Sequence, residues 1–464
     1  MDKNDTWWTR PCGGFDVLRQ AIPLIISCGS VSLLNFTDRM FLMWLQDDSM
    51  TASWHGGMLF WAAVSIPVAI GAFVTTFVAQ YHGSGHVGKP AYHRIGRIVW
   101  QGIWFGLAVM PILLLLYEPF AQVFVWFKHE GALLELERSY YFYMLFGSAA
   151  VISGEAAASF FRGQGKMRVE MCNNLFCVAI NIPLTYCFIF GQFGFPEWGL
   201  AGAAITTVLC LWLRFLIYAV LMFIQDYKAR KFQVAKGMRL DLPLMGRLLY
   251  YGFPAGLYTS IDTITFTAFI MMIGGIGQVQ RDASTIAFTL NSFTYIPLNG
   301  IGIVVTSMVG NQLGKNRPDL ARRAAMTALI IGCLYAGIFG FFFLVLPGLF
   351  LLPFALLEGS AGIHEMSVLL LRFVALYLFF DTCAVICMSA LRGAGDTLYI
   401  ALIMGIFAPL LPIFCAVGIY YFELGIIWCW TVLTLLVLAY CTAFWLRYRT
   451  KVWESMRVIE KELI

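Results

Sequence analysis

The stretch Gly71–Gly83, GAFVTTFVAQYHG, recurs 231 residues later as Gly302–Gly314, GIVVTSMVGNQLG. A second pair of matching stretches, Phe161–Lys166 (FRGQGK) and Leu391–Asp396 (LRGAGD), has an offset of 230 residues and follows in the same order. Two matches at an offset of half the chain length indicate an internal duplication. The sequence therefore predicts two similar lobes, and functional residues are expected where such lobes meet.

The composition is typical of a helical membrane protein. Hydrophobic residues make up 60% of the chain and charged residues only 12%, whereas ordinary soluble domains carry about 25% charged residues. The apolar residues occur in segments of about 20 residues or more, which is the length that a helix needs to cross the hydrocarbon core. This excludes a soluble domain, and the predicted fold class is an all-α polytopic membrane protein.

Twelve predicted spans divide evenly into two six-helix lobes. Because six spans return the chain to its starting side of the membrane, the two lobes form a parallel repeat. The lobes are predicted at 1–225 and 241–464, joined by a cytoplasmic linker at 226–240 that is either solvated or a short basic helix on the inner leaflet. The predicted spans are 16–46, 55–81, 95–118, 138–161, 169–191, 198–225, 245–274, 285–313, 322–347, 363–391, 397–419 and 423–446.

Basic residues are concentrated in the loops after the even-numbered spans and in the C-terminal tail. The opposite loops contain little basic charge beyond Lys128 and Arg281. Since cytoplasmic loops carry the excess of lysine and arginine, both termini are predicted to be cytoplasmic, in the inner or plasma membrane. The net charge of +5 follows from this bias and does not indicate nucleic-acid binding. The basic residues include Arg94, Arg97, Lys166, Arg168, Lys228, Arg230, Lys315, Arg317, Arg447 and Arg449.

Four acidic residues lie inside predicted spans: Asp38, Glu155, Asp262 and Asp381. An acidic side chain is costly in hydrocarbon, which favours a functional role over a structural one. Asp38 shares a helix face with Asn35, three residues away. Glu155 belongs to no recognisable motif, so the sequence is equally compatible with a cavity carboxylate and with an acid paired to a neighbouring helix.

Two of these acids have features that suit a cation site. Asp262 follows Pro254 by eight residues, and a proline within a helix bends it and frees carbonyl groups that can help to ligate a cation. Tyr377 and Asp381 are four residues apart, so their phenol and carboxylate converge on one helix face.

Neutral polar and aromatic residues supply further candidates. Asn181 and Thr185 are four residues apart around Pro183, and their side chains either ligate an ion or bond a neighbouring helix. Helix packing is the simpler interpretation of that pair alone. Tyr258 and Tyr295 can offer aromatic faces to a flat organic cation.

Several stretches, in chain order, resemble the multidrug and toxic-compound extrusion (MATE) family and, within it, the NorM-type branch. Asp262 falls where NorM-type members carry Glu, and Thr185 stands where they carry Asn, so the geometry of the cation site and the coupling ion remain open. The matching stretches are TDRMF at 37–41, NIPLTY at 181–186, FGQFGFPEWGLAGAA at 190–204, YLFFD at 377–381 and LRGAGDT at 391–397.

The resemblance implies a V-shaped pair of lobes and an antiporter that exports multiple drugs or organic cations by rocker-switch alternating access. The coupling ion is H⁺ or Na⁺, expected at Asp262, Asp381, Tyr377 and Asp38, with Na⁺ possible at the first three. Asn181, Thr185, Asn35, Glu155 and Tyr258 are expected to line the substrate cavity. The substrates are small, lipophilic and cationic, and a monomer surrounded by membrane lipids is expected, with no cofactor and no further metal.

Two other functions are alternatives to the antiporter. A lipid-linked oligosaccharide flippase of related architecture needs basic residues for a pyrophosphate, and Arg39, Arg214 and Arg372 lie in or near the spans. A membrane-embedded enzyme needs a nucleophile, a metal cluster or a phosphate-binding loop, and none occurs with suitable spacing, so no enzymatic activity is expected.

Overall fold

The computed structural model describes residues 6–45, 48–86, 91–127, 129–354 and 361–463, so Lys128 lies outside the described residues. The described part of the chain is almost entirely helical and contains no strand. Its α-helices are α1 (Gly14–Met43), α2 (Ser49–His86), α3 (Tyr92–Leu115), α4 (Tyr117–Trp126), α5 (Gly131–Leu145), α6 (Ser148–Arg162), α7 (Met167–Phe190), α8 (Gly199–Ala229), α9 (Leu242–Gly274), α10 (Gln278–Gly314), α11 (Pro318–Val345), α12 (Pro347–Leu351), α13 (Ala361–Ala394), α14 (Thr397–Phe407), α15 (Leu410–Tyr420) and α16 (Ile426–Arg449).

The helices confirm the predicted fold class of an all-α polytopic membrane protein. Within the described ranges, eleven segments are long and apolar enough to cross a membrane, and the bent pair α5 and α6 makes twelve if it is counted as one span. Each predicted span overlaps one of these segments. The short helices α4 and α12, of 10 and 5 residues, lie between spans and are too short to cross a bilayer.

Two spans are interrupted, and the two interruptions have different causes. The fourth span bends by 41° between α5 and α6, where the indole nitrogen of Trp212 donates to the carbonyl oxygen of Phe146 at 3.1 Å. At the bend this carbonyl group has no partner within its own helix, and the bond from Trp212 supplies one. The eleventh span breaks between α14 and α15 at Pro409, which lacks the amide hydrogen that helix continuity needs.

The chain forms two compact units. The N-unit contains Ile26–Gly256 and Val458–Ile464, and the C-unit contains Met1–Ile25 and Leu257–Arg457. The unit boundaries therefore fall inside α1 and α9 rather than at the predicted linker. Each of these helices contains a proline just before its boundary, Pro23 and Pro254, and the two prolines are related by the offset of the internal repeat.

The repeated sequence forms a close helix–helix contact in each unit. In the N-unit, Thr75 Oγ1 of α2 donates to Ser159 Oγ of α6 at 2.9 Å. In the C-unit, Thr306 Oγ1 of α10 donates to the carbonyl oxygen of Ser389 of α13 at 3.0 Å. The glycines of the second repeated stretch lie against these helices, because a Cβ atom at Gly393 would lie 2.6 Å from the carbonyl oxygen of Thr306. Small residues thus let the helix backbones approach without a gap.

Two polar segments of the N-unit are fixed by carboxylates. The predicted linker packs onto α3, and Asp226 accepts hydrogen bonds from the backbone amides of Phe232 at 2.9 Å and Val234 at 2.7 Å. Near the C-terminus, Glu460 forms an ion pair with Arg247 at 2.6 Å. The linker residues therefore belong to the N-unit.

We expect Gly393→Ala to destabilise the C-unit. The added methyl group would overlap the Thr306 carbonyl, and forcing extra atoms into a packed contact costs about 1–3 kcal/mol. Thermal unfolding of the purified protein in detergent measures the loss. Gly337→Ala, in α11 of the same unit, is the matched control because nothing lies within 4 Å of its added Cβ. Equal melting temperatures for the two variants would contradict the close-packing interpretation.

Candidate functional site

Asp262 and Asp381 are brought together in the C-unit. They lie near the middle of α9 and α13, respectively, and their carboxylates are close enough to interact electrostatically. Tyr377 interacts with Asp381 one helical turn away, as the i, i+4 spacing predicts. The Tyr295 phenol lies within electrostatic range of both carboxylates and of Tyr258. We call these five residues the C-unit acidic cluster.

The members of the C-unit acidic cluster differ in burial. Tyr258 and Tyr377 are buried, Asp381 and Tyr295 are half-buried, and Asp262 is exposed. Pro254 lies inside α9, eight residues before Asp262. The two carboxylates of the cluster are therefore less buried than the Tyr258 and Tyr377 phenols.

Asp38, Asn181 and Thr185 occupy a second polar site in the N-unit. Thr185 Oγ1 donates to Asn181 Oδ1 at 3.0 Å, and both residues are buried. The Cys210 thiol on α8 lies within hydrogen-bonding range of the Asn181 side chain and within electrostatic range of Asp38. Among the described residues, the buried Oδ1 of Asp38 has no hydrogen-bond partner. Asp38 therefore retains an acceptor that a bound cation or a proton would satisfy.

The neighbours of Asp38 were only partly predicted. Asn35 is exposed on α1. The Arg39 guanidinium lies over the Trp54 ring, 4.2 Å from the ring centroid, and forms no ion pair with Asp38 within the described ranges. The Tyr140 phenol on α5 lies within electrostatic range of Asp38. No sequence pattern points to Tyr140, because it is about a hundred residues from Asp38 and only the packing of α5 brings the two together.

Glu155 is part of a buried network of alternating charge. Its carboxylate contacts Arg162 of the same helix at 2.6 Å and Arg214 of α8 at 3.2 Å. Arg162 in turn donates through Nε to Glu170 of α7 at 2.6 Å. Glu155 is thus an acid paired to a neighbouring helix, one of the two possibilities that the sequence left open. Both of its oxygens are engaged, so it offers no free oxygen to a ligand.

We expect Glu155→Gln to destabilise the fold. Removing one partner of a buried ion pair leaves the other charge uncompensated, at a cost of about 3–5 kcal/mol. Glu118→Gln is the matched control, because Glu118 pairs with Arg138 at the surface with its side chain 63% exposed, where such a pair contributes about 0–1 kcal/mol. Thermal unfolding in detergent compares the two variants. A Glu155→Gln protein with wild-type stability but no transport would show that Glu155 acts in transport instead.

Known proteins resemble this chain over almost its whole length. The probable multidrug resistance protein NorM of Thermotoga maritima is 24% identical over 458 residues, covering 97% of this chain and 95% of that protein. The multidrug resistance protein NorM of Burkholderia vietnamiensis is 26% identical over 397 residues, covering 82% of each chain. A solved MOP superfamily transporter from Pyrococcus furiosus has the same fold, with a TM-score of 0.83 and 17% identity over 94% of this chain and 95% of that one.

The family model matches the chain twice, as the internal repeat predicts. The MatE model covers residues 23–187 and 254–417. The two matches begin at Pro23 and Pro254, the prolines that precede the unit boundaries. Together they cover well over half of the chain, and they include every predicted site residue. The chain therefore belongs to the MatE family.

Proposed function

We propose that this protein is a secondary active antiporter that exports small, lipophilic, cationic compounds in exchange for H⁺ or Na⁺. The relatives named as multidrug resistance proteins support efflux of multiple compounds. The observation that carries the proposal is the proximity of Asp262 and Asp381, two acids on different helices of the C-unit that lie within electrostatic range of each other.

The electrostatics of this pair favour a bound cation. Two anionic carboxylates repel each other strongly in a medium of low dielectric constant, and a proton, a Na⁺ ion or an organic cation beside them relieves the repulsion. Tyr377 and Tyr295 supply phenol oxygens to a metal cation and aromatic faces to an organic one. The C-unit acidic cluster therefore suits both the coupling ion and the substrate.

Coupling follows from competition for the same negative charge. When the carboxylates are ionised and no Na⁺ is bound, they attract a cationic substrate. A proton or Na⁺ on them removes that attraction and releases the substrate. A ligand shifts an equilibrium only through its different affinities for the two states, and here the charge on Asp262 and Asp381 provides that difference.

The N-unit site is a second place for a cation. Asp38 has an unsatisfied buried oxygen, and Asn181 and Thr185 present neutral oxygens beside Cys210. Oxygen ligands of this kind suit a hard monovalent cation. We assign Asp38 to cation coupling and the Asn181 and Thr185 pair to the wall of the site.

Alternating access completes the proposed mechanism. The excess of lysine and arginine in alternate loops supports cytoplasmic termini in the inner or plasma membrane, so that substrate enters from the cytoplasm and leaves outward. Parallel repeats suit rocking of one lobe against the other. An inward-moving H⁺ or Na⁺ supplies about 2.3 kcal/mol per charge for each 100 mV of membrane potential.

The flippase alternative is weakened by the environment of its basic residues. Arg214 is paired with Glu155, and Arg39 lies over Trp54. A pyrophosphate would have to compete with the Glu155 carboxylate for Arg214. The acidic residues of the two polar sites would also repel an anionic headgroup.

Transport in proteoliposomes tests the proposed function. A proton gradient and a sodium gradient are imposed in separate experiments. We expect one of the two to drive ethidium or norfloxacin against the concentration gradient of that compound, and the ion whose gradient drives transport is the coupling ion. Liposomes without protein are the control for leakage. No transport under either gradient would contradict the antiporter proposal and favour the flippase.

The acidic pair is tested by removing its charge. We expect Asp381→Asn, and separately Asp262→Asn, to reduce ethidium efflux to the level of empty liposomes, because an amide neither carries a proton nor attracts a cation. Asp282→Asn is the matched control, since Asp282 is a surface residue at the start of α10 that contacts Arg281. Normal efflux by Asp381→Asn would remove that residue from the mechanism.

A further inference from the structure

Two histidines and a glutamate meet in the N-unit, away from both polar sites. His55 lies near the start of α2, His129 precedes α5, and Glu137 lies in the second turn of α5. We propose that these three residues bind a divalent transition-metal ion of the zinc class. This goes beyond the sequence-based expectation of no such metal site.

The geometry of the three side chains fits a shared ion. His55 Nδ1 lies 2.6 Å from Glu137 Oε1, and His129 Nδ1 lies 2.9 Å from Glu137 Oε2. One ligand atom from each residue can be chosen so that all of them lie within 4.8 Å of one another. Two imidazoles and one carboxylate are a donor set that zinc accepts, with metal–ligand bonds of about 2.0–2.2 Å. An ion at the centre requires only a small outward shift of the two rings.

The burial of the three side chains differs in a way that suits a metal site. The Glu137 side chain is completely buried, whereas the side chains of His55 and His129 are 34% and 24% exposed. The two partly exposed rings stack with centroids 5.0 Å apart, so the cluster is open to the surface on the side of the histidines. The open side leaves a fourth position for water.

The backbone that carries the three donors is held in place by packing and hydrogen bonding. A Cβ atom at Gly56, next to His55, would lie 3.3 Å from the Glu137 carbonyl oxygen, so α2 and α5 approach closely here. The His129 amide donates to the Phe124 carbonyl at 3.1 Å, which fixes the backbone before α5. The donors are thus preorganised, which lowers the cost of binding.

The chemistry of binding is a tautomer change. Without metal, each Nδ1–H donates to the carboxylate. A neutral imidazole carries one proton, so binding at Nδ1 requires that proton to reside on Nε2. The bound ion then replaces two hydrogen bonds with three coordination bonds that join α2, α5 and the segment between α4 and α5. Trp54, which lies under the Arg39 guanidinium, is next to the ligand His55, and Tyr140, which lies within electrostatic range of Asp38, is three residues from the ligand Glu137.

Zinc titration of the full-length protein tests the proposal. The protein is purified without a polyhistidine tag, stripped with a chelator and titrated with Zn²⁺ against a chromophoric competitor. We expect one tight site per chain. Because loss of even an outer-shell partner costs about 10–100-fold in metal affinity, we expect His129→Ala and Glu137→Gln each to weaken binding by about 100-fold or more.

A second histidine pair provides the matched control. His82 and His86 lie toward the other end of α2, with ring centroids 4.6 Å apart, and a pair at this spacing can bind zinc weakly at a surface. The His82→Ala, His86→Ala double variant is expected to keep the tight site. Loss of tight Zn²⁺ binding in that double variant alone would overturn the proposal. So would a Glu137→Gln protein that binds Zn²⁺ with the same affinity as the wild-type protein.

A measurement on the wild-type protein is independent of how the variants fold. Co²⁺ in place of Zn²⁺ is expected to give the intense visible absorption of a four-coordinate ion with nitrogen and oxygen ligands. One equivalent of Zn²⁺ should abolish that absorption. Absence of stoichiometric binding, or an absorption spectrum typical of hydrated six-coordinate Co²⁺, would show that the cluster is only a hydrogen-bonded network.

Discussion

Hydrocarbon supplies no hydrogen-bond partners, and this constraint separates the polar residues of the spans into two groups. Glu155 is fully paired with Arg162 and Arg214, so its charge is balanced within the protein. Asp38 keeps a buried oxygen without a partner among the described residues, and Asp381 has a second carboxylate beside it. The first arrangement stabilises the N-unit. The second leaves negative charge that a cation or a proton would balance, and this is why we propose that these acids bind and release one.

The internal repeat accounts for the helix packing that the two units share. It does not account for the acidic residues, which differ between the units. Thr75 and Thr306 make equivalent helix contacts in the two units, because a close approach of helices needs the same small and hydroxyl-bearing residues wherever it occurs. At the repeat offset, however, Glu155 is matched by Val385, and Asp381 is matched by Val151. Duplication thus produced two similar packing frameworks, and substitutions outside the shared contacts made one unit different from the other.

The sequence predicted what depends on local spacing. The twelve spans followed from hydropathy, and the Tyr377 and Asp381 pair followed from helical periodicity. Contacts between distant segments were beyond prediction. At the bend before Gly147, the Phe146 carbonyl is satisfied by Trp212, which lies 66 residues further along the chain. The partner of Glu155 on α8 and the meeting of His55 with Glu137 depend in the same way on helix packing.

The central claim is that Asp262 and Asp381 bind either the coupling ion or the substrate. Equilibrium binding of ethidium to the purified protein, measured by fluorescence polarisation at a series of pH values and Na⁺ concentrations, tests it most directly. The account predicts that one of the two ions weakens ethidium binding to the wild-type protein and that this dependence disappears in the Asp262→Asn, Asp381→Asn double variant. The same ion dependence in the double variant would contradict it.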